Sequence, residues 1–153
     1  MPARKFMMSQ TIYLADETDT LALGASLAEL FRPGQSVHLE GHLGAGKTTL
    51  VRGILRAYGF TGTVKSPTYT LVEEYELQQL TLYHFDLYRL DDPEELEWMG
   101  IRDYFRTDSL CLIEWPERGL GCIPLPDFCI HLQSQGEGRQ ADIRRPDQEP
   151  AVA

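Results

Sequence analysis

The sequence is poor in the residues that build metal or disulfide scaffolds. Its three cysteines, Cys111, Cys122 and Cys129, form no Cys-x-x-Cys pair and are odd in number. With only four histidines beside them, this argues against a zinc site or a disulfide framework and for reduced, mostly buried thiols. No apolar run approaches the length of a membrane span. Met1 to Gln10 is too short and too polar for a signal peptide, so a cytoplasmic protein with no membrane partner is expected. Positive charge is scarce. The 23 acidic and 14 basic residues leave a net charge of −9, which excludes binding of DNA or RNA by bulk electrostatics. Any RNA would be reached through a partner. Lysine is limited to Lys5, Lys47 and Lys65, so Lys47 is not one of many exposed lysines. Asparagine is absent altogether, which rules out the Asn-Lys-x-Asp motif that reads guanine in GTPases.

What is present suits one compact domain. The chain has 153 residues, 42% apolar and 24% charged, enough for a single core. There is no internal repeat and no low-complexity linker. Residues 1–145 are expected to form the domain, and 146–153, polar and Pro-containing, a disordered tail.

Along the chain, Thr11 to Leu14 reads as a short strand. Asp16 to Asp19 supplies caps for a helix carrying Leu23, Leu27, Leu30 and Phe31, stopped by Pro33-Gly34. Ser36 to Glu40 reads as a strand and Thr49 to Tyr58 as a helix, with Leu50, Ile54, Leu55 and Tyr58 on one face. Tyr69 to Tyr75 and Thr81 to Asp86 are β-prone and joined by a short link, which predicts an antiparallel hairpin in a sheet that is not purely parallel. Asp92-Pro93 opens a short helix that ends near Gly100, and Arg102 to Arg106 forms a further helical turn. Leu110 to Glu114 reads as a buried strand and Phe128 to Leu132 as the final one. The fold class is therefore α/β, with a mixed sheet and flanking helices.

Between the first full strand–helix pair stands Gly41-His42-Leu43-Gly44-Ala45-Gly46-Lys47-Thr48, followed by Thr49. This fits the phosphate-binding P-loop pattern of Gly, four residues, then Gly-Lys-Thr. The glycines let successive backbone N–H groups turn inward around a polyphosphate. Lys47 can reach the terminal phosphates, and the Thr48 hydroxyl can ligate Mg²⁺. The helix that follows adds its positive dipole end to the anion site. With guanine excluded, adenine is the expected base by elimination.

A P-loop needs acids to hold Mg²⁺ and to orient water. In open α/β sheets the ligand lies beyond the C-terminal ends of the strands. Asp86 and Glu114 each end an apolar strand and are placed for this, whereas Glu73, Glu74, Glu94 and Glu95 suit solvated faces or a helix start. The hydroxyls of Ser66 and Thr68, in Ser-Pro-Thr-Tyr, fit either a nucleotide-sensing switch or a plain turn. His84 shares a strand face with Asp86 and suits a neutral structural role. His42 sits within the loop beside the phosphates, and Trp115 is either near the nucleotide or a core residue. Arg89 and Arg118 are candidate phosphate or partner contacts.

These blocks together resemble the TsaE family. The likeness rests on Leu39 through Thr49, Ser66-Pro67-Thr68-Tyr69, His84-Phe85-Asp86-Leu87-Tyr88-Arg89, Glu95-Leu96-Glu97 and Ile113-Glu114-Trp115-Pro116-Glu117-Arg118, and it covers residues 10 to 145. The P-loop is shared by many families; the Phe-Asp-Leu-Tyr-Arg and Glu-Trp-Pro-Glu-Arg blocks are far more specific. The resemblance implies a single P-loop NTPase domain that hydrolyses ATP with Mg²⁺. It implies work on the threonylcarbamoyl modification of tRNA adenosine, with TsaD and TsaB as partners and tRNA met only through their complex. Hydrolysis would reset that complex between turnovers, the transfer itself being done elsewhere. Carried over by motif, Lys47 serves the phosphates, Thr48 the metal, and Asp86 and Glu114 the metal and the attacking water. Ser66 and Thr68 belong to the switch, and Glu17-Thr18 to the adenine side. One position departs: the family's second P-loop residue is often acidic, and here it is His42.

Two other classes compete. A small-molecule kinase would carry an Arg-rich lid and an acceptor site, and no dense Arg cluster follows the helices. A nucleotide-sensing regulator would bind without hydrolysis that partners accelerate.

Overall fold

The computed structural model describes residues 9–146. Of the segment Met1 to Gln10, read as non-signal, residues 1–8 lie outside the described residues, and so do residues 147–153 of the tail read over 146–153. Seven strands form one sheet: β1 (Ser9–Leu14), β2 (Ser36–Glu40), β3 (Val72–Glu76), β4 (Thr81–Asp86), β5 (Ser109–Glu114), β6 (Phe128–Gln135) and β7 (Gly138–Arg144). Helices α1 (Glu17–Leu30), α2 (Lys47–Ala57) and α3 (Glu94–Trp98) flank it. The spatial order is β1-β7-β6-β2-β5-β4-β3.

The centre of this sheet is parallel. β2 runs parallel to β5 and to β6, and β4 runs parallel to β5. These strands read as apolar runs because both of their faces are covered; every residue of β5 is buried. The alternation of side chains divides the core in two. Leu82, Leu110 and Leu112 face α1 and α2 with Leu27, Leu50 and Ile54. Tyr83, Phe85, Cys111 and Ile113 face the other side with Leu96 and Ile101. α1 is capped as its sequence suggests, with the Asp16 carboxylate accepting from Asp19 N–H at 3.0 Å. A 3-10 turn spans Ile101–Tyr104 where a helical turn was expected. Among the described residues no helix is long and apolar enough to cross a membrane.

The antiparallel hairpin is β3–β4, but its first strand starts later than the β-prone run suggests. The N–H of Leu71 bonds back to the Pro67 carbonyl at 2.9 Å, and Leu71 sits at φ 66°, so Tyr69 and Thr70 form a turn. A second correction concerns the other edge. The strand from Phe128 is not the last one. It continues to Gln135 and turns into β7, which pairs antiparallel with β6 and with β1.

Candidate functional site

β2 lies in the middle of the sheet, and the loop after it opens over the C-terminal ends of its neighbours. Gly41 is required there by close approach. A Cβ on it would lie 2.5 Å from the Leu132 carbonyl of β6, at φ +143°. Gly46 turns the chain into α2 with φ 102°. Lys47 opens α2 and is 5% exposed. Its Nζ donates to the Gly41 carbonyl at 2.6 Å and lies 3.6 Å from Glu114 Oε1. It also stands 4.4 Å from the centre of the Trp115 ring.

The strand register explains why the two acids meet. Asp86 of β4 is paired with Glu114 of β5, and Glu114 with Leu39 of β2. The ends of three neighbouring parallel strands are thereby level, and both carboxylates sit beside the loop. Glu114 also accepts from His84: Nε2 and Oε2 are 2.5 Å apart, with His84 fully buried. A carboxylate only accepts, so Nε2 is the donor of this bond. The Nδ1 of His84 has no hydrogen-bond partner among the described residues. Asp86 Oδ1 accepts from Tyr88 N–H at 3.0 Å. Burial pushes the Asp86 carboxyl above its ordinary value and the Glu114 charge adds to this, while the Tyr88 bond, His84 and Lys47 pull it down.

A cleft of about 320 Å³ gathers Leu43, Gly44, Gly46, Lys47, Thr48, Thr49, Ser66, Thr68, Asp86 and Glu114. The expected loop, acids and switch hydroxyls therefore share one space. Ser66 Oγ and Thr68 Oγ1 are 2.7 Å apart at its rim. A second cavity of about 250 Å³ adjoins it through Gly46 and Thr49 and is lined by Glu17. Thr18 is exposed and lines neither cavity. Thr20, one helical turn after Glu17, does line the second.

Four other expected residues do not line the cleft. Trp115 does not line the cleft; its ring packs on Lys47 and on Tyr88, 4.9 Å between ring centres. It occupies the left-handed region at φ 56°, which turns the chain sharply after Glu114. His42 is exposed, with Nδ1 2.8 Å from the Leu43 carbonyl and Nε2 3.5 Å from Ser134 Oγ. Arg89 lies over Tyr69 at 4.5 Å and Arg118 over Tyr88 at 5.5 Å, both outside the cleft. Sequence reasoning missed Arg139, which lines both cavities from β7. The signal was the Gly136-Glu137-Gly138 turn followed by alternation through Ala141 and Ile143.

The chain is similar to known proteins of one family. The family model described as "Threonylcarbamoyl adenosine biosynthesis protein TsaE" matches residues 14–143. The chain is 51% identical over 142 residues to a tRNA threonylcarbamoyladenosine biosynthesis protein TsaE of Haemophilus influenzae, covering 90% of each chain. It is 44% identical to the protein of the same name from Nostoc sp. over 139 residues, 86% of this chain and 83% of that one. A crystal structure of YdiB from Bacillus subtilis superposes with a TM-score of 0.76 at 28% identity, covering 92% of this chain and 87% of the other. The chain belongs to the TsaE family.

Proposed function

We propose that this protein is a Mg²⁺-dependent P-loop ATPase of tRNA threonylcarbamoyladenosine formation, which binds a TsaD–TsaB complex and hydrolyses ATP to reset it between turnovers. The observation that carries the reading is the convergence of Lys47, Asp86 and Glu114 in one cleft at the C-terminal ends of β2, β4 and β5. The names of the relatives supply the pathway. The partners rest on the family resemblance.

The residues fit their proposed ligands. Triphosphate oxygens would take the inward N–H groups of the loop and the Lys47 ammonium, which now rests on the Gly41 carbonyl and Glu114. The ribose and adenine would extend into the cavity lined by Glu17 and Gly138. A divalent cation suits the donor set as well. Two buried carboxylates stand side by side, and crowding by burial and like charge already disfavours the charged form of Asp86. Thr48, Asp86 and Glu114 would hold the cation, which when bound neutralises charge on the phosphate oxygens. Glu114, fixed by His84, would also orient water toward the terminal phosphate. The Ser66 and Thr68 hydroxyls at the rim would sense that phosphate, and the complex would read their position.

The test is ATP hydrolysis by the wild type, Lys47→Ala and Asp86→Ala across a Mg²⁺ titration. Lys47→Ala is expected to abolish turnover and Asp86→Ala to remove its Mg²⁺ dependence. Wild-type turnover by either variant would contradict the site assignment.

A further inference from the structure

Arg139 reaches from β7 to the phosphate loop, and its guanidinium directs all three nitrogens at backbone carbonyls. Nε donates to Ala45 O at 3.1 Å, Nη2 to Gly44 O at 3.2 Å and Nη1 to Gly138 O at 3.2 Å. Two of these acceptors are consecutive peptide groups of the loop, more than ninety residues away in sequence. The side chain also borders both cavities, as Gly46 and Thr49 do.

We propose that Arg139 is a positioning residue that presets the loop for a polyphosphate, an inference that rests on the nucleotide-binding reading. In a planar trans peptide the C=O and N–H point in opposite directions. Holding the Ala45 carbonyl on Arg139 therefore fixes the direction of the Gly46 N–H, on the opposite side of that peptide, beside the cleft that Gly46 lines. Holding the Gly44 carbonyl likewise fixes the Ala45 N–H, which closes a turn on the His42 carbonyl at 3.1 Å. Glycine-rich loops otherwise lose much conformational entropy when they wrap an anion. A planar guanidinium can grip two adjacent carbonyls at fixed geometry, which an ammonium cannot. The β6–β7 turn thus serves the site by delivering Arg139 to the loop carbonyls. The positive charge stays beside the cleft and adds to the attraction for phosphates.

The experiment compares the full chain with Arg139→Ala, Arg139→Lys and Arg139→Gln. ATP affinity is measured by calorimetry with Mg²⁺, and amide hydrogen exchange is measured without nucleotide. Arg139→Ala is expected to weaken ATP by about 10- to 100-fold. Residues 42–46 should exchange faster while β6 and the thermal midpoint stay close to wild type. Arg139→Lys should recover only part of the affinity, and free guanidinium ion should restore binding to Arg139→Ala. If Arg139→Ala fails to fold, Arg139→Gln, which keeps a donor and most of the length, carries the same comparison. ATP affinity within about twofold of wild type, or unchanged loop exchange, would overturn the clamp. A wild-type chain that binds no ATP would instead overturn the nucleotide reading, and loop exchange would then decide the clamp by itself.

Discussion

The imidazole Nε2 of His84 lies 2.5 Å from Glu114 Oε2, while Lys47 Nζ lies 3.6 Å from the other oxygen of the same carboxylate. Glu114 is thus held between the His84 imidazole and the Lys47 ammonium, with all three side chains at most 6% exposed. Removing the His84 donor frees the carboxylate to rotate without touching the loop. His84→Leu is expected to lower turnover about 10- to 100-fold, the range seen when a supporting hydrogen bond to a site carboxylate or ligand is lost. ATP affinity should change far less. Steady-state rates and direct binding check this, and equal losses in both would contradict it.

The two loop glycines Gly41 and Gly44 should respond very differently to alanine. A Cβ on Gly41 meets the Leu132 carbonyl at 2.5 Å, whereas one on Gly44 has nothing within 4 Å. Gly41→Ala is expected to cost about 1–3 kcal/mol from backbone strain and displacement of β6, and to abolish ATP binding. Gly44→Ala carries only the left-handed backbone penalty of about 1–2 kcal/mol, and should keep measurable binding. Denaturant midpoints and calorimetry on both variants check this. Retained ATP binding by Gly41→Ala would contradict the close-packed loop.

His38 gives the fold a pH dependence outside the site. It lies in β2 two residues before Glu40, buried, and its Nε2 has no hydrogen-bond partner among the described residues. Burial pushes the imidazole below its ordinary value of 6.5, against a backbone hydrogen bond to Pro124 and the attraction of Glu117. A depressed histidine stays neutral in the native state while the unfolded chain takes up a proton. Its stabilising effect is therefore complete above the ordinary value and is lost as pH falls through the native one. The urea midpoint should drop between about pH 7.5 and pH 5.5, and His38→Gln should drop less. The same loss in both proteins would contradict this assignment.

Local patterns in the sequence revealed the parts of the site that local geometry makes. Gly41 to Thr48 is a contiguous motif, and Asp86 and Glu114 were found because each ends an apolar run. The elements that only distant pairing creates were not visible. β7 offers just Ala141 and Ile143 as buried apolar residues, and its place depends on pairing Asp142 with Thr11 and His131. Arg139 could not be tied to Ala45 by any spacing, because a strand turn and the whole central sheet lie between them. The late start of β3 followed from the Pro67–Leu71 turn, a choice that β-propensity at Tyr69 and Thr70 does not express. Trp115 was placed by its neighbour Glu114, but its left-handed backbone swings the ring onto Lys47 rather than into the cleft.

ATP hydrolysis by this protein is proposed to belong to an assembly with TsaD and TsaB. The most direct test is the ATP hydrolysis rate of this protein alone and after addition of purified TsaD and TsaB. Slow turnover alone that rises strongly in the mixture, and vanishes in both with Lys47→Ala, is the expected result. Equal rates with and without the partners would contradict it and return the site to a stand-alone enzyme with its own phosphate acceptor.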